Sequence, residues 1–247
     1  APDLPAWQDD PTRADITARH LLNFTSGVAQ APARLTYDGL SEPQQVKDKY
    51  AFALGRPQES APGDAFHYGS SHLMVAGAWF QGQVGADPVD WLTARILAPL
   101  GIRVAGWMRD PAGHPMLPYG CWTTAYEWAK LGAMLVGDGA WRGTRVLPED
   151  ALARCWEGST ANPAYGLTFW LNRDVSDATF DRGTVSTLSD TGAILHPDAP
   201  ADLVAAAGAN DQRLYVIPSQ SLAIIRLGTG DGDFKDPGLL GRLLGLD

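Results

Sequence analysis

Lysine is scarce in this chain: four of 247 residues, against 28 Asp and Glu together, and with the arginines counted the formal net charge is −9. That balance offers no basic surface to a phosphate backbone, which excludes nucleic acid as an expected partner. Cysteine is scarcer still. Cys121 and Cys155 are too few for a disulfide scaffold or a four-cysteine zinc site, and too far apart for a CxxC redox pair. Either they pair, which implies an oxidising compartment, or they are two buried thiols. No run approaches the roughly 20 apolar residues that a bilayer span needs, and residues 1–10 have neither a basic nor an apolar signal region. The five histidines include no HExxH pair, no Gly-Lys-Ser/Thr occurs, and residues 228–232 miss the GxGxxG spacing. Neither a metal nor an organic cofactor is expected. Asp231, Asp233 and Asp236 lack the glycine and terminal Glu of a calcium loop and read as solvated carboxylates on a flexible tip.

The chain is nevertheless 45% apolar with nine Trp, enough to bury the core of one large domain or two interleaved ones. Thr17 reads as the N-cap of a short helix that closes over Asn23 to Gly27. A helix is expected around residues 42–54. Leu73, Ala76, Gly77 and Phe80 recur at one-face spacing, which places Tyr68 to Ser70 immediately before a helix. Asp87 and Pro88 start the next helix, stopped by Pro99 and Gly101, and Thr124 with Glu127 forms a capping box for a helix ending at Gly137. Beyond Asn162 the period shortens: residues 165–172, 203–207, 212–217 and 222–227 read as strands, the last three as an antiparallel meander, and residues 237–246 as a covering helix. This reading divides the chain into a mainly helical part, 1–161, and C-terminal strands with a terminal helix, 162–247.

Several separated segments together resemble one family. Residues 15–27, Asp-Ile-Thr-Ala-Arg-His-Leu-Leu-Asn-Phe-Thr-Ser-Gly, look like its ITxRHLLxHTSG segment, and Tyr68-Gly69-Ser70 falls where it keeps Tyr-x-Asn. Ile96 to Gly101 is similar to its PLG helix end, Trp122 to Leu135 to its ST-x-x-D helix, and Gly137 to Leu147 to the turn that follows. Gly208 and the strand from Gln212 to Pro218 resemble the strand pair of its third motif. The chain is thereby identified as a member of the serine β-lactamase-like hydrolases, which include class C β-lactamases, DD-peptidases and β-lactamase-type carboxylesterases. The resemblance implies an α/β (α+β) fold: an antiparallel sheet flanked by helices, with a helical subdomain and the active site between them. It also implies acyl transfer through an acyl-enzyme, a small ester, amide or peptide as substrate, no cofactor, and export, so a periplasmic or secreted location is favoured.

The departures are specific. Gln44, Val46, Glu127 and Gly232 stand three residues before the four lysines, so the family's Ser-x-x-Lys is absent from these 247 residues. A preceding or companion N-terminal segment is therefore expected to carry the nucleophile, and this chain alone to be inactive. Ser70 stands where Asn is usual, and the third motif reads Ala206-Ala207-Gly208, without Lys or His. An esterase-like or uncharacterised branch fits these residues better than a β-lactamase, whose third-motif cation helps hold the substrate carboxylate.

A serine hydroxyl needs a neighbouring base to take its proton. Tyr68 serves as that base only where a cation lowers its phenol from about 10; otherwise it stays a phenol and donates to a leaving group. Ser70 is either a helix N-cap or a substrate contact. Backbone amides at Gly208 and Ala209 are expected to give half of an oxyanion hole, worth about 3 to 4 kcal/mol per donor. Tyr119, Trp122 and Asn210 complete the expected substrate-binding set. Two rivals remain: a non-catalytic binding protein of the same fold, and a local pairing of Ser70 or Ser71 with His67 or His72. Ser26 lies in a segment where the family's serine is structural.

Overall fold

The computed structural model describes residues 4–31, 46–175, 195–230 and 234–246. Two compact units emerge: residues 1–94 with 105–122, and residues 95–104 with 123–247. The boundary expected at 161/162 falls inside the second unit.

In the first unit the helices are α1 (Ala18–Leu22), α2 (Lys49–Leu54), α3 (Ser70–Val84) and α4 (Pro88–Leu92), and strands β1 (Gly106–Trp107) and β2 (Cys121–Trp122) pair antiparallel. Thr17 caps α1 as expected: its hydroxyl accepts from His20 N at 3.2 Å, and the His20 ring accepts from Thr17 N at 3.3 Å. The helix expected over 42–54 begins only at Lys49. Asp48 is extended there and its carboxylate takes the Ala51 amide at 2.8 Å, which fixes the start; residues 42–45 lie outside the described residues. Ile16, Leu21, Tyr50, Met74, Val75 and Met116 form the core of this unit.

In the second unit α5 (Ala98–Leu100), α6 (Ala125–Val136), α7 (Ala151–Cys155) and α8 (Asp236–Leu244) accompany a β3–β4 hairpin (Ala140–Trp141, Thr144–Arg145) and a four-stranded sheet. The sheet has the order β5 (Trp170–Leu171), β6 (Val204–Gly208), β7 (Gln212–Ile217), β8 (Leu222–Arg226), with every pair antiparallel. The expected meander is thus present. Its first member is shorter than expected: the backbone turns over at Gly166 to Phe169 with Thr168 at φ 63°, so only Trp170 and Leu171 join the sheet from the 165–172 run. The run after Pro88 also differs, because residues 93–97 form a π-turn and Pro99 sits in the last helical turn rather than after it. Proline has no N–H for a carbonyl one turn back, and the widened turn precedes it.

Helix α6 lies on the sheet. A Cβ at Gly132 would stand 2.8 Å from Ala223 Cβ and 3.0 Å from Leu214 Cδ1, so only glycine permits this approach. Leu97, Met134, Leu135, Leu171, Leu214 and Val216 fill the space between. Each such side chain taken fully from water contributes roughly 1.5–3 kcal/mol. The expected capping box of α6 is half made. Thr124 Oγ1 accepts from Glu127 N at 3.3 Å, but the Glu127 carboxylate turns instead to Arg103 N at 2.8 Å and Lys130 Nζ at 2.7 Å. Those donors hold its pKa down at about 2. No disulfide joins Cys121 and Cys155. Of the carboxylates expected in solvent, Asp231 and Asp233 fall outside the described residues, and Asp236 is buried instead, paired with Arg213.

Candidate active site

Tyr68 and Ser70 stand at the N-terminal end of α3, set there by a capping arrangement that spans forty residues of sequence. Gln30 Oε1 accepts from Ser71 N at 3.1 Å while Gln30 Nε2 donates to Val28 O at 2.9 Å. Gly69, the residue before the helix, makes room for this amide: a Cβ there would fall 2.1 Å from Gln30 Oε1. Ser70 is therefore the first helical residue and not the cap, which corrects one of its two expected roles. No local signal marks Gln30, because its partner is distant in the chain.

Tyr68 is 39% exposed. Its ring packs edge-to-face with Phe24, 5.2 Å between centroids, and Phe24, in a left-handed turn after α1, stacks on His72 at 5.0 Å. The tyrosine ring is thus held by an aromatic neighbour while part of the residue remains exposed.

His72 does not pair with Ser70 or Ser71. Its Nε2 faces His67 O at 2.8 Å, an acceptor, so the proton sits on Nε2 and Nδ1 accepts from Ser26 Oγ at 2.8 Å. Ser71 Oγ accepts from Ala31 N at 2.9 Å. Burial holds His72 neutral, with its pKa pushed down to about 4. Ser26 and His72 form a serine–histidine pair in geometry, but both are 0% exposed, so no carbonyl reaches the hydroxyl. His72 and Ser71 are thus both engaged outside the local Ser–His pairing, and Ser26 is structural.

Tyr119 packs against the first unit's core, and Trp122, at the end of β2 and opposite Gly106, is 62% exposed. Gly120 between them has φ 113° and lies against Met108, which turns the chain from the core to the surface.

In the second unit Gly208, Ala209 and Asn210 share the exposed turn from β6 to β7. β5 covers β6 only at Val204 and Ala205, so Ala206 to Gly208 have no strand on that side among the described residues. Asn210 is left-handed at φ 56°. Gln212 braces the turn, its Nε2 donating to Asn210 O at 2.9 Å and Gly228 O at 2.6 Å and its Oε1 accepting from Gly228 N at 3.1 Å. A braced turn with backbone amides at a strand end is the kind of preorganised donor set an oxyanion needs.

The Beta-lactamase family model matches residues 3–244. The chain belongs to the Beta-lactamase family. Among solved structures, a putative beta-lactamase from Bacteroides dorei DSM 17855 superposes with a TM-score of 0.66 at 18% identity, covering 100% of this chain and 78% of that one. A putative 6-aminohexanoate-dimer hydrolase from Bacillus anthracis gives 0.68 at 14% identity, covering 93% and 59%. A penicillin binding protein from Bacillus halodurans gives 0.62 at 16% identity, covering 99% and 77%. No curated protein matches the chain. The β-lactamase-like fold, an antiparallel sheet flanked by helices, is thereby established for this family member. The solved structures that share this fold also include EstCE1, described as a hydrolase with promiscuous acyltransferase activity, and no described helix is long and apolar enough to cross a membrane.

Proposed function

We propose that this Beta-lactamase family member is the tyrosine and oxyanion-strand portion of a serine hydrolase that transfers acyl groups from small esters, amides or peptides through an acyl-enzyme. The observation that carries the reading is Tyr68, exposed at the start of α3 with its ring packed edge-to-face with Phe24. No residue pair within the 247 makes Ser-x-x-Lys. The proposal therefore takes the nucleophile from residues beyond these, upstream or on a companion peptide, and assigns no turnover to this chain alone.

In this scheme a Lys ammonium of that segment lowers the Tyr68 phenol, Tyr68 takes the serine proton as the hydroxyl attacks, and then returns it to the leaving group. Amides at Gly208 and Ala209 donate to the oxyanion, and Ser70, Tyr119, Trp122 and Asn210 contact substrate. Ala206 and Ala207, in place of a cationic third motif, favour ester-like substrates over β-lactams. They equally favour a second reading, a binding protein of the same fold without turnover. A periplasmic or secreted location accompanies both.

Intact mass before and after a fluorophosphonate probe tests the proposal. No adduct on these 247 residues, with labelling of a longer form or companion peptide, is the expected outcome. An adduct on this chain overturns the absence of its nucleophile, and no labelling of either form leaves the binding protein.

A further inference from the structure

Asp48, Asp110 and His114 come from two separate segments and meet in the first unit. Their ligand atoms all lie within 4.8 Å of one another. Each is held by the backbone. Asp48 caps α2. Asp110 and His114 close a tight turn: Asp110 N donates to His114 O at 3.0 Å, Gly113 N to Asp110 O at 2.9 Å, and His114 N to Asp110 Oδ1 at 2.8 Å. Lys49 N donates to Asp110 Oδ2 at 2.8 Å and Ala112 N to Lys47 O at 3.0 Å, which fastens this turn to the start of α2. The His114 ring lies flat on Tyr50, 4.5 Å between centroids and 6° between planes.

The Nδ1 atom of His114 is shut off from solvent and makes no hydrogen bond. It lies 3.4 Å from Asp48 Oδ1 and 3.5 Å from Asp110 Oδ2. A buried polar atom without a hydrogen bond calls for an explanation. A tetrahedral zinc ion with bonds of about 2.0–2.2 Å sets its ligand atoms roughly 3.3–3.6 Å apart, the spacing found on both sides of this nitrogen. One imidazole nitrogen and two carboxylate oxygens suit zinc better than calcium, which takes six to eight oxygens. Two carboxylates balance the ion's charge. Asp48 and His114 also line a cavity of about 680 Å³ with Tyr50, Gln81 and Asp87. Asp87 is itself engaged with Arg109 at 2.6 Å.

We propose that Asp48, Asp110 and His114 bind one zinc ion that pins the start of α2 to the 110–114 turn, with water from the cavity as the fourth ligand. The site differs from the absence of metal expected from sequence, which rested on cysteine clusters and HExxH. Here Asp110 and His114 sit on a turn and the third ligand is sixty residues away.

Equilibrium dialysis of the chelator-stripped full chain against zinc, with metal analysis and thermal melts, tests it. One zinc per chain is expected, with Tm raised by about 5–10 °C at a free zinc concentration a hundredfold above Kd. Asp48→Asn keeps a side chain that caps as well, and is expected to weaken zinc binding at least tenfold; His114→Gln is expected to do the same. Circular dichroism of the metal-free variants checks their folding, and should His114→Gln not fold, Asp48→Asn alone decides. No bound zinc, or unchanged affinity in either folded variant, overturns the site and leaves an ion pair between His114 and two carboxylates.

Discussion

The hydroxyl of Ser26 donates to Nδ1 of His72 across 2.8 Å, with both residues wholly buried. This pair ties the turn after α1 to the first turn of α3, and so sets the position of Phe24 beside Tyr68. Its chemistry makes it a structural latch rather than a nucleophile and base. Ser26→Ala leaves Nδ1 buried without a donor and is expected to cost about 1–3 kcal/mol in urea unfolding.

The same histidine makes stability depend on pH. Its folded pKa, about 4, lies below the ordinary value of 6.5, so the unfolded chain binds the proton first as pH falls. The contribution is complete above about pH 6.5 and is lost between there and pH 4, at about 1.4 kcal/mol per pH unit at most. Urea melts at pH 6.5, 5.5 and 4.5 are expected to show a steeper decline for the native chain than for His72→Gln, which does not titrate. Equal slopes would refute the burial account.

Gly69 and Gln30 are expected to be strongly non-additive. Gly69 has φ 173°, an extended backbone any residue adopts, so Gly69→Ala costs stability only through the 2.1 Å approach to Gln30 Oε1. Gln30→Ala removes the α3 cap for about 1 kcal/mol. The double variant is expected to be no less stable than Gly69→Ala alone, because the obstructing amide is gone; chemical denaturation of the four forms measures the coupling.

In the second unit Asp236 holds the sheet to α8. Its carboxylate takes Arg213 Nε at 2.8 Å and Nη2 at 3.1 Å and also accepts from the Tyr215 hydroxyl. Desolvation and this carboxylate keep Tyr215 protonated at every working pH. Asp236→Ala strands a buried guanidinium and is expected to cost about 3–5 kcal/mol. Tyr215→Phe removes a single hydrogen bond to a charged group and is expected to cost about 1.5–3 kcal/mol. Unfolding free energies of both variants check the order.

Tyr68→Phe tests the acyl-transfer proposal from the tyrosine's side. With the nucleophile segment present, loss of the proton-transfer group is expected to lower kcat for an ester by about 10²–10⁴-fold. The ring contact with Phe24 persists in this variant. Unchanged turnover would remove Tyr68 from the mechanism.

The sequence by itself determined the elements whose signals are local. Thr17, Asp87 and Thr124 cap the helices they precede, the short turns at 208–211 and 218–221 fold three strands into a meander, and the spacing of Leu73, Ala76, Gly77 and Phe80 finds α3, although Met74 and Val75 rather than Leu73 and Phe80 are buried. Caps, turns and periodicity act over a few residues, so a linear reading finds them. The segment spanning Asp15 to Gly27 likewise carried much of the family resemblance.

Only the tertiary structure decided which distant groups meet. Gln30 rather than Ser70 completes the start of α3, Ser26 rather than Ser70 or Ser71 engages His72, and Glu127 turns from its own helix end to Arg103. Asp48 reaches Asp110 and His114 the same way. In every case the partners lie tens of residues apart and the donor could have chosen several acceptors of equal chemistry. What selects among them is burial: packing brings one acceptor within 3 Å or so and removes the water that would have satisfied the others.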